Sequence, residues 1–430
     1  MNEVMLDLAY GAALAATSPY FLYKMATTGK YREGLIEKLG AVAPRSGGPS
    51  IWVHGVSVGE VLSARGLVAG LEAAFPGAEV VISTTTNTGQ AVAKKTYPDR
   101  RTLYFPLDFS WAVKRAFAAV RPGVVILMEL EIWPNFLSRA AALGVPVVVA
   151  NGRITERSHG RFKRLGRFAS DLLDKVTVYL VQNEIYAERL GDLGVPAAKI
   201  EVTGNIKFDT LSADLGARRA LSMRGEMGVA VGETLIIGGS THAGEEAALL
   251  DAYAALQARG RRVRLLVVPR HKERFEEVAA LVASRGYGVF RRSGIARGDR
   301  PAGGEVLLGD TMGELEGLYE AADVAFVGGS LIPHGGQNIM EPAAKGKPVV
   351  FGPSVENFAG EAKMLLDAGA ATQISGGAAL ADALSLYLDG AKARSAGAAG
   401  RDLVLRSKGA ASRTVDRIKT IAGARISTSR

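Results

Sequence analysis

Short aliphatic runs alternate with segments of helical spacing from about residue 50 onward. In the first half, strands are predicted at Ile51–Val53, Val80–Ser83, Val124–Met128, Val145–Ala150 and Val176–Val181. Between them, stretches such as Val61–Ala74 and Thr88–Lys95 carry apolar residues at helical spacing. This alternation indicates βαβ units and a parallel sheet whose strands are buried on both faces.

Strand signals are few between residues 209 and 233, and the pattern then restarts. The second set of predicted strands is Leu235–Gly238, Val263–Val268, Val289–Phe290, Val306–Leu308, Val324–Val327 and Pro348–Phe351. Two doubly wound halves joined by a linker are expected to place the carboxyl ends of their strands across a central cleft. Neither half has G-x-G-x-x-G after a strand or a G-x-x-x-x-G-K-[ST] loop, which argues against a dinucleotide enzyme or a P-loop ATPase.

Length and charge narrow the class of protein and its partners. A chain of 430 residues divides naturally into two domains of about 200 residues. Cysteine is absent, which excludes disulfides and thiolate chemistry. The net charge of +9 favours anionic partners. Because no nucleic-acid-binding motif is present, phosphorylated substrates and an anionic membrane are the better candidates.

The N-terminus favours contact with a membrane. Val4–Tyr23 is mostly apolar, broken by Asp7, and is followed by basic residues. Those cations are Lys24, Lys30, Arg32 and Lys38. A basic start and a small-residue cleavage site are missing, so a removable signal peptide is not expected. We predict a helix that lies in the membrane interface; a true span and a helix packed on the protein body remain alternatives.

A carboxylate follows the first predicted strand. The segment His54–Glu60 comes directly after Ile51–Val53, at a strand end where α/β proteins bind ligands. Glu60 can act as a base there, beside backbone N–H groups that attract anions. The alternative is that Glu60 only caps a helix.

More charged residues follow later strands of the same half. Glu129 and Glu131 come after Val124–Met128, and Lys207 follows a short strand that ends at Val202. A lysine near two carboxylates can neutralise them or stabilise a departing phosphate. Structural ion pairs and a surface lysine are the alternatives. Asn151 to Arg153 follow another strand, either as part of the site or as a helix cap.

The strand ends of the second half have the character of a nucleotide site. The segments in question are 238–246, 269–271, 310–315 and 328–342, which combine small residues, hydroxyls, Arg270 and glycine pairs. Backbone N–H groups in such turns are expected to face a phosphate, and Glu341 can hold ribose hydroxyls. The five histidines show no metal-ligand spacing, and no G-x-S-x-G elbow supports a serine nucleophile.

A set of motifs gives the chain a resemblance to a known family. They are HGVSVGE (54–60), MELEIWPN (128–135), NGRIT (151–155), TGNIKFD (203–209), STHAGEE (240–246), VPRHKER (268–274), GDTMGEL (309–315) and GGSLIPHGGQNIMEP (328–342), with Tyr31-Arg32-Glu33 before them. Their order and spacing resemble those of the 3-deoxy-D-manno-octulosonic acid (Kdo) transferases of lipopolysaccharide and lipid A synthesis. The resemblance runs from the N-terminal helix to near residue 370.

The resemblance implies an α/β GT-B glycosyltransferase fold, with two Rossmann-like domains around the cleft. The implied division is a membrane-associated segment (1–40), an acceptor-binding domain (41–215), a linker (216–232), a CMP-sugar-binding domain (233–405) and a C-terminal helix (406–430) that crosses back to the N-terminal domain. It also implies an inverting transferase that moves Kdo from CMP-Kdo to the lipid A precursor lipid IVA. The expected location is the cytoplasmic face of the inner membrane, without a cofactor or metal.

Site residues follow from the same resemblance, position by position. Glu60 is implied as general base, and Glu129 and Lys207 as stabilisers of the transition state. The implied CMP contacts are Pro269, Arg270, Met312, Gly313, Glu314, Asn338, Ile339, Met340 and Glu341. Two alternatives stay open: another GT-B enzyme, such as a peptidoglycan transferase or a sugar 2-epimerase, and a non-catalytic lipid- or nucleotide-binding protein.

Overall fold

The chain folds into two α/β units. The computed structural model describes residues 3–28, 33–211 and 216–427, so Lys30, Tyr31 and Arg32 of the sequence predictions lie outside the described residues. One unit comprises Met1–Thr210 with Lys408–Arg430, and the other comprises Leu211–Ser407.

The first unit is built on a seven-stranded sheet. Its strands are β1 (Ser50–His54), β2 (Val80–Thr84), β3 (Arg101–Tyr104), β4 (Pro122–Met128), β5 (Val147–Gly152), β6 (Val178–Val181) and β7 (Ile200–Val202). Its helices are α1 (Glu3–Thr28), α2 (Leu35–Lys38), α3 (Val58–Ser63), α4 (Arg65–Ala74), α5 (Asn87–Thr96), α6 (Ser110–Val120), α7 (Pro134–Ala142), α8 (Glu156–Leu165), α9 (Arg167–Leu173) and α10 (Glu184–Asp192), with short 3-10 helices at Ala197–Lys199 and Ile206–Thr210.

The strand order explains where this unit carries its site. The order is β3-β2-β1-β4-β5-β6-β7, and all neighbouring strands are parallel. The winding direction reverses between β1 and β4, the switch point at which such sheets bind ligands outside the carboxyl ends of the strands. Hydrophobic clusters cover both faces of the sheet, which confirms the predicted double burial. Glu60 follows β1 and Glu129 follows β4, so topology brings these two segments together.

The second unit also has a seven-stranded parallel sheet. Its strands are β8 (Thr234–Thr241), β9 (Val263–Pro269), β10 (Val289–Arg291), β11 (Val306–Leu308), β12 (Val324–Val327), β13 (Val349–Phe351) and β14 (Ala371–Gln373). Its helices are α11 (Ala217–Glu226), α12 (Glu245–Ala258), α13 (Phe275–Ser284), α14 (Leu315–Ala321), α15 (Met340–Ala344), α16 (Ala359–Asp367), α17 (Leu380–Ser385) and α18 (Gly390–Ser407), with short 3-10 helices at Lys272–Arg274, Arg292–Arg297, Glu356–Phe358 and Gly377–Ala379.

The order of this second sheet is β10-β11-β9-β8-β12-β13-β14, so its switch point lies between β8 and β12. The turns after β9, β8 and β12 are therefore neighbours along one edge. Helix α11 lies within residues 216–232, the segment for which the sequence predicts a linker.

The last helix, α19 (Ala410–Ser427), packs in the first unit against α4 and β4. The Asp209 carboxylate fixes its start, because Oδ1 accepts from the Gly409 N–H at 2.6 Å and Oδ2 from the Ala411 N–H at 2.7 Å. A carboxylate in this position satisfies N–H groups that have no partner within the helix.

Helix α1 has an exposed apolar surface, and polar side chains near its start form hydrogen bonds with other residues of the first unit. Leu8 and Tyr23 are 69% and 64% exposed. Asp7, the acid that interrupts the apolar run, accepts from the Ser110 N–H at 2.8 Å and from Asn135 Nδ2 at 3.1 Å. Tyr10 donates to Asp108 Oδ2 at 3.1 Å. Among the described residues, no helix has both the length and the apolar character needed to cross a bilayer.

Candidate active site

Glu60 is held at the mouth of α3 by a reciprocal capping arrangement. Its Oε2 accepts from the Val56 N–H at 2.9 Å, and its Oε1 accepts from the Ser57 hydroxyl at 2.8 Å. The Glu60 N–H in turn donates to Ser57 Oγ at 3.3 Å. This is a variant of the capping box, with Ser57 at the N-cap and Glu60 at the third helical position, in which the carboxylate accepts from the N–H one residue before the N-cap. Gly55 leaves the space, because a Cβ there would lie 3.2 Å from the Glu60 Cβ.

Electrostatics nevertheless make Glu60 a better base than an ordinary cap. Burial raises the pKa of Glu60, and the nearby Glu129 raises it further. The hydrogen bonds from Val56 and Ser57 lower the pKa of Glu60, but by less than burial and Glu129 raise it. A carboxylate with a raised pKa accepts a proton more readily, which suits general base catalysis near neutral pH. Glu60 therefore caps α3, and its raised pKa is compatible with the role of a base.

Glu129 and Lys207 form an ion pair beside it. Lys207 Nζ donates to Glu129 Oε1 at 2.9 Å, with side chains that are 40% and 23% exposed. Glu129 has a left-handed backbone, with φ of 58°, an uncommon conformation for a residue with a side chain. Strain of this kind concentrates at functional sites. The structure thus brings the three predicted catalytic residues together, since Glu129 acts on the pKa of Glu60 and binds Lys207.

The Asn151 side chain positions the turn that carries Lys207. Its Oδ1 accepts from the Ile206 N–H at 2.9 Å, at the first residue of the 3-10 helix Ile206–Thr210. Asn151 is fully buried and has φ of 55°, so its backbone is constrained as well. The sequence left Asn151 to Arg153 as either part of the site or a helix cap. The structure shows that Asn151 supports the site, because it holds the turn that carries Lys207.

Glu131 is a third carboxyl group, which the sequence placed beside Glu129 without assigning it a specific role. Burial and the neighbouring Glu60 raise its pKa to about 7. Trp133 Nε1 donates to Glu131 Oε2 at 3.0 Å. The next turn is fixed by Asp108, which accepts from the N–H groups of Asn135 at 3.0 Å and Phe136 at 2.8 Å. The E-x-E-I-W-P-N motif thus contributes two carboxyl groups and the start of α7, whose N-cap residue Trp133 binds Glu131.

His54 serves structure rather than chemistry. Its ring is fully buried, stacks on Phe105 at 3.8 Å and has Nδ1 3.0 Å from Ser83 Oγ. Burial lowers its pKa to about 3, so the imidazole stays neutral at physiological pH.

In the second unit, a buried carboxylate occupies backbone donors that the sequence analysis expected to face a phosphate. Glu245 is fully buried and accepts from the N–H groups of Gly329 at 2.7 Å, Ser330 at 2.9 Å and Leu331 at 2.9 Å. It also accepts from the His242 N–H at 2.9 Å. The expectation that these groups face a phosphate is therefore wrong. Glu245 instead joins the turns after β8 and β12.

The predicted nucleotide contacts lie at strand ends of this sheet. Pro269 ends β9, and the exposed Arg270 follows it with its N–H bonded to Thr241 O at 3.0 Å. Met312, Gly313 and Glu314 lie in the turn after β11, where Met312 is 66% exposed and Gly313 has φ of 83°. Because β11 neighbours β9, this turn and Arg270 share one edge of the sheet.

The four residues Asn338 to Glu341 form the start of α15. Asn338 Nδ2 donates to Glu341 Oε1 at 3.0 Å, and its Oδ1 accepts from the Met340 N–H at 3.1 Å. Ile339 and Met340 are fully buried, so their side chains belong to the core. Burial raises the pKa of Glu341, and the nearby Arg270 lowers it. The Arg270 contribution places this helix start near the end of β9.

The part of the chain that the structure describes covers residues 3–28, 33–211 and 216–427. Within those ranges, no group of three or more His, Cys, Asp or Glu side chains is arranged to hold a metal ion.

Comparison with known proteins identifies the family. Residues 33–210 match the family described as 3-deoxy-D-manno-octulosonic-acid transferase (kdotransferase). The chain is 34% identical over 395 residues to the 3-deoxy-D-manno-octulosonic acid transferase of Haemophilus influenzae, covering 91% of this chain and 92% of the relative. It is 35% identical over 393 residues to the Bordetella pertussis transferase of the same name, covering 89% and 90%. The chain belongs to the Kdo transferase family.

Solved structures show the fold of this Kdo transferase. A glycosyltransferase from Rickettsia africae matches with a TM-score of 0.59 at 13% identity, over 89% of this chain and 99% of the other. Identity at this level shows the fold alone, and the prediction of a GT-B fold is confirmed. The predicted enzyme class is confirmed too, since Kdo transferases are glycosyltransferases of lipopolysaccharide biosynthesis. Family membership thereby decides against both alternatives, another GT-B enzyme and a non-catalytic binding protein.

Proposed function

We propose that this Kdo transferase moves Kdo from CMP-Kdo to lipid IVA with inversion at the anomeric carbon, using Glu60 as general base. One observation carries the proposal: a buried carboxylate with a raised pKa lies at the β1/β4 switch point, beside the Lys207–Glu129 pair. Such a group can take a proton from a sugar hydroxyl at neutral pH.

The proposed reaction is a single displacement. Glu60 removes the proton of the acceptor hydroxyl, and the oxygen of that hydroxyl forms a bond to the anomeric carbon of Kdo. The bond from that carbon to the phosphate oxygen breaks, and CMP leaves with the electron pair. Attack opposite to the leaving group inverts the configuration. Lys207, held by Glu129, stabilises negative charge that develops during the displacement.

The second unit is proposed to bind CMP through three segments. Pro269 and Arg270 supply a guanidinium at the end of β9, where a phosphate can accept from it. Met312, Gly313 and Glu314 form the neighbouring turn. Asn338, Ile339, Met340 and Glu341 supply backbone groups and one carboxylate; a carboxylate of this kind accepts hydrogen bonds from ribose hydroxyls.

Helix α1 is proposed to hold the enzyme on the cytoplasmic face of the inner membrane. Its exposed apolar residues suit burial at the boundary of lipid headgroups and acyl chains. The net charge of +9 favours anionic headgroups. Because lipid IVA is itself a lipid, surface binding brings enzyme and acceptor together.

Catalysis is proposed to need no metal ion, because Lys207 in the first unit and Arg270 in the second each supply a positive charge. Transfer is therefore expected to proceed at an unchanged rate after dialysis against EDTA. A loss of activity that Mg²⁺ or Mn²⁺ restores would contradict this part of the proposal.

Product analysis tests the proposed function directly. Purified full-length protein is incubated with CMP-Kdo and lipid IVA, and the lipid is analysed by mass spectrometry. We expect the lipid to gain the mass of one or more Kdo residues, with the inverted anomer in the NMR spectrum. Turnover with UDP-N-acetylglucosamine and none with CMP-Kdo would overturn the proposal.

A further inference from the structure

Three histidines from separate strand ends meet in the second unit. His242 follows β8, His271 follows β9, and His334 lies in the turn after β12. The ring centroids of His242 and His334 are 4.3 Å apart, and those of His242 and His271 are 5.7 Å apart. Because β8 lies between β9 and β12, the sheet brings the three imidazoles to one place. We call them the imidazole cluster.

The carboxylates beside the imidazole cluster are engaged elsewhere. Glu245 accepts the backbone N–H groups described above. Glu246, fully buried, forms a two-pronged pair with Arg274, with Nη1 to Oε1 at 2.5 Å and Nη2 to Oε2 at 3.2 Å. In the part of the chain that the structure describes, no carboxylate forms a salt bridge with any of the three imidazoles. A protonated cluster therefore has no counterion of its own.

The surroundings of the central ring make it receptive to an anion. Burial lowers the pKa of His242, and His334, His271 and Arg274 lower it further; Glu246 alone acts in the opposite direction. The Gln337 amide nitrogen contacts His242 Nε2 at 3.2 Å. His271 and His334 are exposed, so a ligand can reach the cluster. An anionic ligand would supply the missing negative charge.

We propose that His242, His271 and His334 together bind an anionic oxygen group of the donor, either its phosphate or the carboxylate of the transferred sugar. This inference rests on the proposed function, since CMP-Kdo carries both groups. The imidazole cluster would thus extend the nucleotide site beyond the CMP contacts. Imidazolium N–H groups form charge-assisted hydrogen bonds to either anion.

Calorimetric titration with CMP and with freshly prepared CMP-Kdo tests the inference without an acceptor. The variants are His271→Gln, His334→Gln and the double variant; both positions are exposed, so the fold should tolerate the changes. His159→Gln is the matched control, because His159 lies in the first unit and pairs with Asp192 at 2.7 Å. We expect CMP-Kdo to bind at least about tenfold more weakly to the double variant, the loss of roughly one charge-assisted hydrogen bond.

The two ligands distinguish the two anions. Weaker binding of both CMP and CMP-Kdo assigns the imidazole cluster to the phosphate, which both carry. Weaker binding of CMP-Kdo alone assigns it to the carboxylate. Two results would overturn the inference. One is an affinity of the double variant within about twofold of wild type for both ligands, a change much smaller than the loss of one hydrogen bond produces. The other is a loss of affinity no larger than that of the control variant. A wild-type protein that fails to bind CMP-Kdo would overturn it as well.

Since binding is measured apart from transfer, a protein that transfers Kdo yet shows no histidine effect refutes the inference and leaves the proposed function intact.

Discussion

At the scale of single residues, the site depends on carboxyl groups that are buried to different extents. Glu60 receives two hydrogen bonds within its capping box, yet burial and Glu129 raise its pKa. Glu129 is tied to Lys207, and Glu131 is bound by Trp133. Their sequence positions could be predicted because each follows an apolar strand. The raised pKa values of Glu60 and Glu131 could not be predicted, because they depend on burial and distances set by the whole fold.

Replacing Lys207 separates a catalytic role from a merely structural ion pair. We expect Lys207→Met to lower kcat at least about tenfold, because the negative charge that develops during the displacement is no longer stabilised by the lysine ammonium group. The melting temperature should hardly change, since a partly exposed pair contributes about 0–1 kcal/mol. Lys199→Met, which removes a surface pair with Asp174, serves as the control. Enzyme kinetics and thermal melting check both expectations; a large loss of stability with normal kcat would favour the structural role.

Glu131 should make stability depend on pH. Its folded pKa of about 7 lies above the ordinary value of 4.5, so the folded state binds this proton more tightly. The resulting stabilisation is complete below pH 4.5 and is lost as the pH rises through 7, on the order of 2–3 kcal/mol between pH 5 and 8.

Removing that carboxyl tests the effect. Glu131→Gln should be more stable relative to wild type at pH 8 than at pH 5, as measured by thermal melting at both values. The control is Glu184→Gln, an exposed acid in the first turn of α10. A difference between variant and wild type that is the same at both pH values would contradict the assignment.

At the scale of elements, the central strands could be predicted, and so could the edge strands β7 and β10, but the edge strands β3 and β14 could not. The predicted runs correspond to strands buried on both faces, such as β1 and β4. β3 and β14 were missed, because an edge strand needs no continuous apolar run; β3 begins with two half-buried polar residues, and β14 has no buried residue. The role of Glu245 was missed for a different reason: three of its four partners, Gly329, Ser330 and Leu331, lie more than 80 residues away along the chain.

Asp209 links two elements that are distant in sequence. We expect Asp209→Ala to lower stability by about 1–2 kcal/mol, because the Gly409 and Ala411 N–H groups lose their acceptor. Hydrogen exchange should accelerate in α19 more than in the strands of the first sheet. Asp192→Ala, at the exposed end of α10, is the comparison. Unchanged exchange in α19 would show that packing alone holds this helix.

At the scale of the whole molecule, net charge and the exposed face of α1 favour a membrane surface. Binding to vesicles should increase with the fraction of anionic lipid and weaken as salt rises, because ions screen charges over about 10 Å at 0.1 M. Leu8→Ser with Tyr23→Ser should reduce binding, whereas the same changes at the exposed Leu221 and Leu405 should not. Vesicle flotation measures this. Equal binding of all variants to neutral and anionic vesicles would contradict the proposed role of α1.

Transfer by Glu60→Gln tests the central claim most directly. The variant keeps the size of the side chain and removes the base, so we expect CMP-Kdo-dependent transfer to lipid IVA to fall about 10²- to 10⁴-fold, the usual contribution of a general base. CMP affinity should stay at the wild-type value. In the wild-type enzyme, the acid limb of the rate–pH profile should lie above the ordinary carboxyl pKa, because the pKa of Glu60 is raised. Wild-type transfer rates in Glu60→Gln would contradict the account.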